Sequence, residues 1–183
     1  MKLFSPKEGQ SLLDVGCGTG YFSRRFQQLG VQVTGLDPDS AMLDFAKAKE
    51  SQNKYIEGDA LALPFAENSF DYCSAITSLC FVTEPEKALS EMLRVSRYGV
   101  MLELLNRYSL LHYNKKYSAG YQGARWDTVT EVQKWYRKTK PEVKIMIKSA
   151  VLIPSAGIIA RTIEFLLPEY FPYASFLAVG IKK

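Results

Sequence analysis

The chain has 183 residues, of which 47% are hydrophobic and 23% charged, and it carries a net charge of +4. That length and balance suit one domain able to bury a core without disulfide staples. A single histidine, His112, argues against a histidine-built zinc site; three cysteines without paired spacing (Cys17, Cys73, Cys80) point to a reducing compartment; and +4 is too weak a charge to argue for nucleic acid.

Ser11–Val15 is a short apolar run that ends at a glycine cluster and reads as a buried strand. Phe22, Phe26 and Leu29 then recur at helical spacing, and Gly30 closes that helix. Residues 31–36 form a second β-rich run ending at Asp37. Residues 40–48 read as a helix with Met42, Phe45 and Ala46 on its inner face. Lys54–Glu57 is a short strand and Phe70–Ile76 a stronger one. Thr83-x-x-Glu86 is a capping box opening a helix that carries Ala88, Leu89, Met92 and Leu93, with Gly99 as its end. Residues 100–105 are strand-like, and Thr128-x-x-Glu131 is a second capping box, opening a helix that runs to about Lys138. Val143, Ile145, Ile147 and Ser149 alternate as a strand should, and residues 174–181 supply the final strand.

Strands alternating with helices imply βαβ units and a mostly parallel, doubly wound sheet. The whole chain, 1–183, reads as one domain: a short N-terminal segment at 1–10 and two stretches that break the alternation. Residues 106–126 are rich in tyrosine (Tyr108, Tyr113, Tyr117, Tyr121), and residues 155–173 hold an apolar run, 158–167, between Pro154 and Pro168. Both read as insertions lining an acceptor site, with ordinary packing as the alternative for each. No window reaches the ~18 apolar residues of a membrane span, and residues 1–10 lack the apolar stretch of a signal peptide. The expected location is therefore cytoplasmic.

The informative segment is Leu12-Leu-Asp-Val-Gly-Cys-Gly-Thr-Gly20. It places Asp14, Gly16, Gly18 and Gly20 at the first strand-to-helix turn, where glycines allow close backbone approach to a ligand and the helix start presents free N–H groups. Asp37 stands at the end of the second strand, where a carboxylate can accept from both hydroxyls of a ribose. A dinucleotide fingerprint with Gly16 and Gly18 would want glycine at position 21; that position is Tyr21, and the third glycine is Gly20.

This pattern resembles the first motif of the class I S-adenosylmethionine-dependent methyltransferases. Gly35-Leu-Asp37-Pro-Asp-Ser-Ala-Met42-Leu resembles their second motif, Gly58-Asp59-Ala60 the third-strand motif, and Leu63-Pro-Phe-x4-Phe70-Asp71 the stretch before the fourth strand. The resemblance covers about residues 11–106 and is nearest to the branch with ubiquinone and menaquinone C-methyltransferases. It implies a Rossmann-like α/β fold: a doubly wound, mostly parallel seven-stranded sheet with an antiparallel last strand. It also implies S-adenosylmethionine as cofactor. Gly16, Cys17, Gly18 and Gly20 would hold the methionine moiety and Thr77 would line it; Asp14 would orient the turn and the amino group, or only cap the turn. Asp37 would bind the ribose, Asp59 and Ala60 the adenine, and Pro38 and Met42 would pack on the adenine or serve only the core.

A sulfonium is already an activated methyl donor, so the protein has mainly to align the acceptor and exclude water. That fits a sequence rich in cofactor motifs with no identifiable catalytic residue. The segment Thr77-Ser-Leu-Cys-Phe81 lacks the Asn/Asp-Pro-Pro-aromatic motif of adenine N-methyltransferases, and Cys80 lacks the neighbour that cytosine C5 enzymes require. The remaining acceptor-side candidates are Phe81, Tyr113, Tyr117, Tyr121 and Trp126, with Arg125 as an anion contact, and they favour a small organic or lipid-like acceptor. Nucleic acid is not expected as a partner, a homodimer is left open, and a membrane surface is admitted by the mild charge without being expected. Relatives usually carry a helical segment before the first motif; here thirteen residues precede Asp14, so the Tyr-rich insertion or a second chain would have to supply a lid. The alternative function is a protein that binds S-adenosylmethionine without transferring the methyl group, while a nicotinamide oxidoreductase is disfavoured by the glycine spacing and Asp59.

Overall fold

The computed structural model describes residues 6–49, 52–139, 144–150 and 171–183. Their strands are β1 (Ser11–Val15), β2 (Gln32–Asp37), β3 (Lys54–Glu57), β4 (Phe70–Ile76), β5 (Ser96–Leu105), β6 (Lys144–Ala150) and β7 (Phe176–Lys182), joined in one sheet of order β3-β2-β1-β4-β5-β7-β6. The pairs β1–β2, β1–β4, β2–β3 and β4–β5 are parallel, and β7 runs antiparallel to both β5 and β6. The doubly wound seven-stranded sheet with its antiparallel last strand is the architecture the motifs imply. Strand order reverses between β1 and β4, and open α/β sheets bind ligands at such a switch point.

Alternation along the strands builds the larger core. Cys73 and Ala75 of β4, Val100, Leu102 and Leu104 of β5, and Leu177, Val179 and Ile181 of β7 share one face. They pack on α3 (Pro85–Val95) through Leu89, Met92 and Leu93, and on α5 (Val129–Thr139) through Val132 and Trp135. Each such buried leucine contributes roughly 1.5–3 kcal/mol. On the opposite face α1 (Tyr21–Gln27) and α2 (Ser40–Lys49) cover β1, β2 and β3.

Several local expectations need correction. The buried residue of α1 is Ser23, while Phe22 and Leu29 are exposed, because a buried carboxylate beneath the helix takes a hydroxyl partner there. In α2 Leu43 and Ala46 face inward; Met42 and Phe45, turned about 100° from Leu43 or further, are exposed. Thr83-x-x-Glu86 forms no capping box: the N-cap is Glu84, without a side-chain cap, and Pro85 occupies the first helical position, where its missing N–H costs nothing. That helix ends at Val95, and Gly99 lies inside β5, which is four residues longer than its apolar run suggests. The apolar stripe 158–167 lies outside the described residues.

The second capping box forms. The Glu131 carboxylate accepts from the Thr128 backbone N–H and hydroxyl, both at 2.8 Å, and the Glu131 N–H donates back to Thr128 Oγ1 at 3.3 Å. Thr128→Ala is expected to cost about 1 kcal/mol in a urea unfolding titration without affecting ligand binding. Loss under about 0.3 kcal/mol would mean that the box carries no stability.

Candidate functional site

Two loops are tied together at the carboxyl ends of β1 and β2. The N–H groups of Gly16 and Cys17 donate to the Leu36 carbonyl at 2.7 and 3.1 Å. The Gly18 N–H donates to Asp37 Oδ2 at 2.7 Å, and the Asp39 N–H donates to Oδ1 of the same carboxylate at 3.0 Å. Asp37 is thus buried and pre-oriented by one backbone donor on each oxygen. A carboxylate offers about four lone-pair sites, so each oxygen can still accept one hydroxyl.

These loops wall a cavity of about 440 Å³, within the usual range for a small-molecule site. Gly16 and Gly18 line one side, and Asp37, Pro38 and Met42 another. Asp59 and Ala60 close the β3 side, with Asp59 Oδ1 held by the Leu61 N–H at 2.8 Å. Thr77, Ser78, Leu79 and Phe81, from the turn after β4, complete the wall. Of the residues singled out for the cofactor, the cavity therefore gathers Gly16, Gly18, Asp37, Pro38, Met42, Asp59, Ala60 and Thr77. A larger groove lies at the other end of the strands, near Gln32 and Asn53, and is lined by none of the residues singled out for the cofactor.

Asp14, Cys17 and Gly20 support the cavity without lining it. Asp14 is buried and accepts from Ser23 Oγ at 2.6 Å and Ser74 Oγ at 3.0 Å, so both its oxygens serve to hold α1 and β4 to β1. Burial pushes its carboxyl above the usual range, and the two hydroxyls oppose that rise. The Cys17 thiol is pushed well up by burial, aided by Asp14 and Asp37, and packs beside Leu43, Ala46 and Tyr55. Gly20 caps α1 with φ 72°, and a Cβ there would stand 2.6 Å from the Tyr55 hydroxyl.

With Val15, Leu36, Asp39, Leu79 and Val82, Ser78 is among the cavity residues that motif reading passes over. Its hydroxyl donates to the Val15 carbonyl at 2.7 Å, and its side chain fills the space next to Gly16. No spacing rule exposes a contact across sixty-odd residues that depends on β4 lying beside β1. Its neighbour Thr77 has φ 53°, a left-handed conformation costly for a β-branched residue. Glu103 holds it there: the Thr77 N–H donates to the Glu103 carbonyl at 2.9 Å and its hydroxyl to the carboxylate at 3.0 Å.

Burial raises the Glu103 carboxyl above its ordinary range despite the Thr77 hydroxyl. The folded state then binds that proton more tightly than the unfolded chain, so this group's contribution is most favourable at low pH and declines as pH rises through the unfolded value of ~4.3 towards the folded one. Glu103→Gln keeps an acceptor for Thr77 and removes that decline. The variant is expected to melt above the parent at pH 7.5, with the gap closing at pH 4.5; an equal gap at both would contradict this.

The acceptor-side residues are dispersed. Phe81 is half-exposed on the cavity rim. Tyr121 and Trp126 pack with Cys80, Leu105 and Leu111 in a separate cluster, and the His112 ring lies tilted against Trp126 with centroids 4.8 Å apart. The Arg125 guanidinium pairs with Asp127 at 2.7 Å and donates to the carbonyls of Leu79 and Val82, so it braces the turn after β4. Tyr113 and Tyr117 are 81% and 89% exposed and lie off the cavity. Burial lifts the Cys80 thiol to about 12, which keeps it protonated at neutral pH.

Comparison with known proteins agrees with this geometry. The sequence pattern of the family described as "Methyltransferase domain" matches residues 13–103. A malonyl-[acyl-carrier protein] O-methyltransferase of Buchnera aphidicola is 36% identical over 128 residues, covering 67% of this chain and 52% of that protein. A demethylmenaquinone methyltransferase of Renibacterium salmoninarum is 46% identical over 91 residues, covering 50% of this chain and 38% of that protein. The chain thus spans about half, or less, of the length of these curated relatives. Among solved structures, a SAM-dependent methyltransferase from Thermotoga maritima superposes with TM-score 0.74 at 25% identity, covering 98% of this chain and 84% of the other. One from Mesorhizobium loti gives TM-score 0.76 at 19% identity, with coverage of 99% and 94%, a likeness of fold.

Proposed function

We propose, since the chain belongs to the class I S-adenosylmethionine-dependent methyltransferases, that it transfers a methyl group from that cofactor to a small organic or lipid-like acceptor. The observation that carries the cofactor assignment is the Asp37 carboxylate, fixed by two backbone N–H groups at the base of a cavity and keeping one free acceptor position on each oxygen. The other donors and walls suit the same ligand. Pro38 and Met42 offer apolar contact to a flat base, Asp59 an acceptor for an exocyclic amine, and Gly16 and Gly18 bare backbone to the amino-acid end. Two curated relatives are named for organic acceptors, a malonyl group on an acyl carrier protein and demethylmenaquinone. The apolar wall of Leu79, Phe81 and Val82 favours the apolar one of these two kinds of acceptor.

S-adenosylmethionine, when bound, supplies a methyl group on a positively charged sulfur. The chain's own share is placement: the glycine turn fixes one partner, and Leu79, Phe81 and Val82 offer the other an apolar wall. Holding two reactants in register is worth up to ~7–11 kcal/mol of barrier.

S-adenosylhomocysteine at ~100 times its dissociation constant is expected to stabilise the fold by roughly 2.7 kcal/mol, a melting shift of about 5–10 °C for a domain of this size. No shift at millimolar ligand would remove the cofactor assignment.

A further inference from the structure

The Tyr-rich stretch that lies off the cavity presents a surface with a consistent chemistry. Helix α4 (Leu110–Lys115) buries Leu111 and turns Leu110 and Tyr113 outward, 64% and 81% exposed. Tyr117, one turn further on, is 89% exposed, and Tyr108 before the helix is 62% exposed. Scattered apolar side chains on a surface are ordinary, but here Leu110 and Tyr113 on the helix and Tyr108 and Tyr117 at its two ends are all exposed within one short stretch of chain. Lys115 and Lys116 stand among them, the latter with its ammonium 4.9 Å from the Tyr117 ring centre. No aspartate or glutamate occurs between Glu103 and Asp127.

Outward tyrosines and a leucine beside lysines, on a stretch of chain whose neighbouring acid, Glu131, is paired with Arg107, match the region between lipid headgroups and acyl chains. A single-stranded nucleic acid would ask for a longer cationic groove than two lysines make. The patch is also joined to the cofactor cavity. Leu111 packs with Cys80 and Trp126, the Arg125 N–H donates to the Cys80 carbonyl at 2.7 Å, and Phe81 next to Cys80 stands on the cavity rim.

We propose that the α4 surface, Tyr108 to Tyr117, docks on an anionic membrane and sets the rim at Phe81 towards the lipid, so that an apolar acceptor reaches the cofactor from the bilayer. The purpose of this docking rests on the methyl-transfer reading above, but the docking itself does not need turnover to be measured.

The test is sedimentation with vesicles of phosphatidylcholine alone and of phosphatidylcholine mixed with phosphatidylglycerol, whose anionic headgroups give the surface a negative potential, at low and moderate salt. Binding is expected to the anionic vesicles only, and to weaken with salt. The Lys115→Gln/Lys116→Gln variant should lose about thirtyfold in vesicle affinity, and Tyr113→Ser/Tyr117→Ser at least tenfold. None of the four lines the cofactor cavity, so S-adenosylhomocysteine affinity, measured on the same preparations, should match the parent. Unaltered nucleoside binding with no binding to anionic vesicles overturns the docking and leaves the methyl-transfer reading standing. Equal binding to neutral vesicles, variants that bind like the parent, or an oligonucleotide that displaces the vesicles would each overturn it as well. Loss of nucleoside binding in the parent itself would instead sink the cofactor reading.

Discussion

Asp37→Ala is expected to weaken S-adenosylhomocysteine binding between about tenfold and a thousandfold while the protein stays folded. The lower figure is the loss of one charge-assisted hydrogen bond at about 1.5 kcal/mol, and the upper one the loss of two with partial replacement by water. The same carboxylate also accepts from the N–H groups of Gly18 and Asp39, so its removal frees the glycine turn as well as the proposed ribose contact. Both donors are next to an open cavity, where water can replace the carboxylate, and the stability cost stays near ~1 kcal/mol. Calorimetric titration separates the two effects: a large rise in dissociation constant with a small change in melting temperature. An unchanged dissociation constant would mean that the ligand does not use this carboxylate.

Gly16→Ala should produce the largest loss of stability among substitutions at the site. Gly16 has φ 70°, where a Cβ costs roughly 1–2 kcal/mol, and the added carbon would run into the Ser78 side chain in a core that tolerates overpacking badly. Together these give about 2–4 kcal/mol, or a drop in melting temperature of about 5–15 °C. Gly18→Ala is the internal control, because φ is 51° there but nothing lies within 4 Å of the point where its added methyl carbon would stand, so only the conformational cost remains. Ser78→Gly in the Gly16→Ala background should recover the steric part and not the conformational part. Failure of that second change to recover any stability would show that Ser78 is not what Gly16 makes room for.

The parts of this fold that are readable from the sequence are those where one local signal suffices. Strands β1, β3 and β4 fall on the expected residues because each is a short run bounded by turn residues. The faces of α1 and α2 are only partly readable: Ala46 is buried as expected, but Phe22, Met42 and Phe45 are exposed while Ser23 and Leu43 are buried. Ser23 is inside because Asp14 needs a donor, a requirement visible only once α1 lies on β1. The cavity follows the same division. Glycines and an acid at strand ends mark Gly16, Gly18 and Asp37, whereas Asp59 is marked only by the resemblance of its motif to the family's. Ser78 and the Glu103 hold on Thr77 depend on strand neighbours distant in sequence. The tyrosines are legible as a cluster but not as a direction, because six residues of helix with one buried leucine carry too little periodicity to point them inward or outward.

The most direct test of the cofactor site is photochemical cross-linking of S-adenosylmethionine labelled in its methyl group, followed by sequencing of the labelled peptides. The label is expected, in amounts suppressed by excess S-adenosylhomocysteine, on peptides holding Gly16 to Gly20, Asp37 to Met42, Asp59 to Leu61 or Thr77 to Phe81. Label confined to other peptides, or label that S-adenosylhomocysteine does not suppress, would contradict a cofactor site between β1, β2 and β4.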